Sequence, residues 1–163
     1  MGLIQIKKDL TNTANICNTF SNDCLTLINS VNQSTELTIN NVYYPCSKLN
    51  ETGVQLENVL KRTYKDIESG LELLLKDLAS EINGLQTTVK TARKDSKKIK
   101  ENAKILYELV LFDISIEGFL EYNYSIDRDI KPYLESIENA QKQSKEIATN
   151  CIYWNNQLII KRR

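Results

Sequence analysis

The chain has 163 residues, with 21 Lys plus Arg balanced by 21 Asp plus Glu. That length suffices for one domain with its own core, and 26% charged residues with five Gly and two Pro exclude a disordered or collagen-like chain. Zero net charge argues against nucleic acid as a partner, no apolar run approaches the ~20 residues of a membrane span, and the lack of histidine removes the commonest general base.

The first helix is expected over roughly residues 2–33. Leu3, Ile6, Leu10, Thr13, Cys17, Phe20, Cys24, Leu27 and Val31 recur at steps of three and four, which draws one apolar stripe. Two of the four cysteines lie on it, seven residues apart, and so point the same way. Residues 34–51 interrupt the pattern and read as a long connection containing Tyr43-Tyr44-Pro45-Cys46. Thr52-Gly53-Val54-Gln55 has the capping-box spacing. A second helix over about 52–83 follows, with its stripe at Leu56, Leu60, Tyr64, Ile67, Leu71, Leu74, Leu78 and Ile82; Asn83-Gly84 is its expected stop.

A third helix is expected over about 85–118, through Leu85, Val89, Ala92, Ser96, Ile99, Ala103, Leu106 and Val110. The fourth, about 128–161, opens on acidic residues with Pro132 in its first turn. Its stripe is Ile130, Tyr133, Ile137, Ala140, Ser144, Ile147, Cys151, Trp154 and Leu158. Four helices of similar length predict an all-α, antiparallel four-helix bundle in a single domain spanning 1–163. The alternative is a three-helix arrangement with one very long central helix over 52–118, since an internal Gly costs only about 1 kcal/mol.

The cysteine spacing matches no zinc pattern. An even number at wide spacing fits two disulfides in an exported protein, and helix heights favour Cys17–Cys151 and Cys24–Cys46. The other reading is a cytosolic bundle with four thiols, two of them buried as small hydrophobes. Three sequons, at Asn32, Asn50 and Asn123, are candidate glycosylation sites. Their number is close to what the Asn and Ser/Thr content yields by chance, but all three fall at expected loops or helix ends.

No catalytic constellation or metal site emerges, and no cofactor is implied. The carboxylate pairs Asp113/Glu117, Asp127/Asp129 and Glu135/Glu138 read as solvated faces or a helix start. Two features suggest binding. An aromatic and apolar end gathers Tyr43, Tyr44, Leu109, Phe112, Ile116, Phe119, Tyr122 and Tyr124, of the composition enriched at protein interfaces. The opposite end is basic, and Lys94, Lys97, Lys98, Arg162 and Arg163 are candidate contacts to an anionic glycan or lipid surface. The expectation is a secreted, non-enzymatic interaction protein, effector- or saliva-like, that binds a protein partner through its aromatic end. A carrier of an apolar small molecule or lipid held between the helices, and an intracellular coiled-coil assembly protein with free thiols, are the alternatives.

Overall fold

Each of the two prolines opens a helix. A proline lacks the amide hydrogen that the first turn cannot use, and its fixed φ already suits a helix. Pro132 is the second residue of the last helix, as expected, and Pro45 is the second residue of the second helix. The computed structural model describes residues 3–33, 42, 44–77, 82–114 and 131–158, with the side chains at 71–77, 82 and 109–114 outside the description. The four helices are α1 (Leu3–Gln33), α2 (Tyr44–Asp77), α3 (Ile82–Ile114) and α4 (Lys131–Gln157). The described residues include no strand. The protein is an all-α four-helix bundle.

Three local expectations are corrected. The connection after α1 is shorter than 34–51, because residues 44–51 are already helical. Thr52 therefore caps nothing. It is buried inside α2, with its hydroxyl 2.5 Å from Asp23 Oδ2 and 3.0 Å from the Lys48 carbonyl oxygen. Asn83 and Gly84 lie in the first turn of α3 rather than at the end of α2. Gly84 is instead a place of close approach: a Cβ there would run into the Trp154 ring of α4. The single long helix over 52–118 does not form, since α2 ends at Asp77 and α3 turns back along it.

The register is antiparallel throughout. Going up α1, Ile6 faces Gly70, Thr13 faces Thr63 and Asp23 faces Thr52, so α2 descends. Along α2, Gly53 meets Ala103, Glu57 meets Lys100 and Tyr64 meets Arg93, so α3 ascends. Thr11 pairs with Asn155 and Ser21 with Gln141, so α4 descends beside α1. Lys7 reaches the end of α4, where its Nζ donates to the carbonyls of Asn155 at 2.5 Å and Leu158 at 2.7 Å. A cation at a helix C-terminus satisfies carbonyls that have no partner within the helix.

α1 is the most enclosed element, packed on one side by α2 and on the other by α4. Ile6, Leu10, Thr13, Cys17, Phe20, Cys24, Leu27 and Val31 are all buried, and Leu3 packs at the margin of the core. From α2 come Cys46, Leu49, Leu56, Val59, Leu60 and Ile67; from α4, Leu134, Ile137, Ala140, Ile147, Ala148 and Cys151. The α1–α2 seam also buries polar groups. The hydroxyls of Thr13 and Thr63 lie 2.6 Å apart, and Gln5 Nε2 donates to Asp9 Oδ1 at 3.0 Å. Asp9 is only 3% exposed. Burial, then the neighbouring Asp66 carboxyl, raises its pKa to about 6. A second carboxyl close by disfavours the ionised form.

The predicted disulfides are absent: no disulfide joins Cys17, Cys24, Cys46 or Cys151, and all four are buried. The register explains why. Cys24 is level with the part of α2 near Thr52, and Cys46, being helical, sits roughly 8 Å further along the axis. Cys17 is level with the α4 residues just before Cys151, about one turn short of it. A disulfide needs Cα atoms within ~7 Å and converging side chains. Cys151 still lies close enough to act on Cys17, whose thiol is pushed up first by burial and then by Cys151. Burial pushes the Cys151 thiol up to about 12. Such thiols stay protonated at neutral pH and are poor nucleophiles.

Candidate functional site

The α2–α3 seam differs from the α1–α2 seam because of residue size. On the stripe of α3, Leu85, Val89, Ile99 and Leu106 are buried, whereas Ala92, Ser96 and Ala103 are only half-buried. Small side chains at those positions cannot reach across to α2. Opposite them α2 offers Gly53, where a Cβ would lie 3.7 Å from the Ala103 Cβ and 3.5 Å from the Phe20 ring. The backbones approach closely there, and the space on either side stays unfilled.

The result is an open groove made of two hollows that meet at Gly53, Glu57, Lys100 and Ala103. The upper hollow, about 370 Å³, has Leu49, Asn50, Val54, Glu101, Lys104 and Tyr107 around it. The lower one, about 400 Å³, is bounded by Leu60, Lys61, Tyr64, Arg93, Ser96, Lys97 and Ile99. Both volumes fall within the usual range for small-molecule sites. Lys100 Nζ pairs with Glu57 Oε1 at 3.4 Å where the hollows join. Both partners are well exposed, so the pair contributes little to stability.

Charge is unevenly distributed along the groove. Two cations, Lys100 and Lys104, face two acids, Glu57 and Glu101, around the upper hollow. Around the lower hollow Lys61, Arg93, Lys97 and Lys100 face Glu57 alone. The Arg93 guanidinium sits over the Tyr64 ring, 5.1 Å from its centroid. That cation–π contact steadies the guanidinium without consuming its hydrogen-bond donors. The hydrogen bond from Tyr64 to Glu68 raises the phenol pKa, Arg93 opposing it.

The residues singled out from sequence are scattered by comparison. Tyr44 is 61% exposed at the start of α2, and Tyr107 is 50% exposed at the upper end of the groove. Leu109 and Phe112 belong to α3, but their side chains lie outside the description; Tyr43, Ile116, Phe119, Tyr122 and Tyr124 lie outside the described residues, as do Asn123, Arg162 and Arg163. Lys94, Lys97 and Lys98 are exposed on α3, and Lys97 lines the lower hollow. Asn32 is exposed in the last turn of α1. Asn50 is not in a loop: it is half-buried within α2 and forms part of the upper wall of the groove. Glu135 and Glu138 are exposed on α4.

The sequence reading missed the groove, although one signal for it was present. Arg93, Lys97, Lys100 and Lys104 follow steps of four, three and four, so they form one cationic stripe. Like charges at such spacing cost a few tenths of a kcal/mol per pair. Among the described residues no group of three or more His, Cys, Asp or Glu is arranged to hold a metal ion, and no helix is long and apolar enough to cross a membrane. No protein-family model matches the chain, and no curated protein and no solved structure matches it.

Proposed function

We propose that this chain is a non-enzymatic binding protein that takes an apolar guest in the groove between α2 and α3. One observation carries the reading: an apolar floor of Gly53, Leu60, Ile99 and Ala103 lies between two hollows whose rims hold five cationic and two acidic side chains. A neutral probe isolates the apolar part. N-phenylnaphthylamine, whose fluorescence rises in apolar surroundings, is expected to bind the native chain and to lose that binding in Ala103→Phe, whose ring would fill the floor. Circular dichroism melting of the variant confirms that it stays folded. An unaltered signal in Ala103→Phe rejects the groove as the site.

The second reading is a protein partner engaged at the aromatic end. The exposure of Tyr107 beside the upper hollow and of Tyr44 nearby in the same helix pair favours it. Extracellular location, expected first from disulfides, loses that support because no disulfide joins the four cysteines. It rests on the sequons, of which Asn32 is exposed. Intact mass of the protein from its native source tests this part: a glycan at Asn32 supports it, and a bare chain with four titratable thiols returns the protein to a reducing compartment.

A further inference from the structure

We propose that the guest is a single-chain amphiphile with a phosphate monoester headgroup, the phosphate held at Lys61, Arg93 and Lys97 and the tail laid over Gly53 and Ala103 toward Tyr107. The proposal rests on the groove being the recognition site and adds the chemical class and direction of what lies in it.

Three observations support it. The first is polarity along the groove. The upper hollow is balanced in charge and the more apolar of the two, while the lower one carries three uncompensated positive charges. A molecule with one apolar end and one strongly anionic end matches that division, and a uniformly apolar guest would leave the lower rim unused. The second is width. Close approach at Gly53 and Ala103 leaves hollows of about 370 and 400 Å³. From Leu49 to Tyr64 the groove runs roughly 22 Å along α2, and a guest helix of that length would be 10–12 Å across. The narrow floor admits a thin chain along its length but only a ridge of such a helix.

The third is headgroup chemistry. A phosphate monoester carries about −1.5 to −2 charges and three acceptor oxygens at neutral pH. Three cations around one hollow match that charge better than they match a carboxylate. Arg93, already held against Tyr64, presents the planar fork that pairs with two phosphate oxygens at once. The cationic stripe of α3, which costs helix stability when empty, is relieved when an anion lies along it.

Competition against bound N-phenylnaphthylamine at neutral pH, below micelle-forming concentrations, tests this with hexadecyl phosphate, palmitate and hexadecyltrimethylammonium. Hexadecyl phosphate is expected to displace the probe best, palmitate more weakly, and the cation not at all. Neutralising the lower rim in Arg93→Gln/Lys97→Gln is expected to weaken hexadecyl phosphate by at least about tenfold. Both positions are exposed, so the variant keeps its fold, and the headgroup-free probe serves as the reference. Displacement by palmitate or by the cation as strong as by the phosphate overturns the headgroup assignment and leaves the groove standing, as does a double variant that binds hexadecyl phosphate normally. An acidic helical peptide that outcompetes all three amphiphiles also overturns it. If the neutral probe itself does not bind, the groove reading fails with everything built on it.

Discussion

The two seams made by α2 are opposites. Toward α1 it presents Thr52, Thr63 and Gly70 to Asp23, Thr13 and Ile6, with the Phe20 ring filling the space beneath Gly53, and the threonines there are buried. Toward α3 it presents Gly53 and Tyr64 to Ala103 and Ser96, and the space stays open under a rim of exposed charges. One seam binds the fold together and the other stays open. The contrast teaches that the open seam does not come from a lack of helix contact. It comes from small residues placed on a stripe that would otherwise close it.

Substitutions can break or sharpen this contrast. The largest effect is expected for Phe20→Ala, which empties the closed seam beneath Gly53: about 3–5 kcal/mol of stability, read as a lower urea midpoint with an unchanged slope. Asp9 comes next. Folded Asp9 keeps its proton up to about pH 6, while an ordinary aspartate releases it near 3.8. Between those values the folded state binds more protons than the unfolded, so stability declines as pH rises and levels off above about pH 6. The decline is of the order of 3 kcal/mol, and Asp9→Asn is expected to abolish that slope in urea titrations across the same range. An unchanged slope would show that Asp9 is not the group that takes up the proton on folding.

A smaller effect is expected for Thr63→Val, which strands the Thr13 hydroxyl inside the closed seam at about 1–2 kcal/mol. Pairing it with Thr13→Val should recover most of that, and a double-mutant cycle measures the recovery. The smallest belongs to the open seam. Glu57→Ala or Lys100→Ala removes an exposed ion pair and should shift stability by less than about 1 kcal/mol. If either costs as much as Phe20→Ala, the open seam is a structural contact and the contrast collapses.

Much of the closed side was legible in the amino-acid order. The stripe from Ile6 to Val31 is the buried face of α1 because that helix has neighbours on two sides, so every stripe position is covered. The start of α2 was misread because Tyr44-Pro45 resembles a turn, yet a proline suits the first turn of a helix equally well and the helix begins there. The cysteines show where the spacing argument is too coarse. Heights counted along idealised helices locate Cys151 within about a turn of Cys17, and a disulfide demands better than that. The groove was hidden for a related reason. Ala92, Ser96 and Ala103 fit the apolar stripe of α3 whether the facing helix fills the gap or leaves it, and only the facing residues distinguish the two cases.

The amino-acid order alone determined that the chain forms amphipathic helices and that the stripe of α1 faces the core. Those are local properties, set by a 3.6-residue period and by proline chemistry within a few residues. The tertiary structure alone decided the vertical register of the helices. Register depends on pairs far apart in the chain, such as Ile6 with Gly70, Thr13 with Thr63 and Gly84 with Trp154, whose sizes must fit one another at the same height. From that register come the absence of disulfides, the raised pKa of Asp9 and the open groove between α2 and α3.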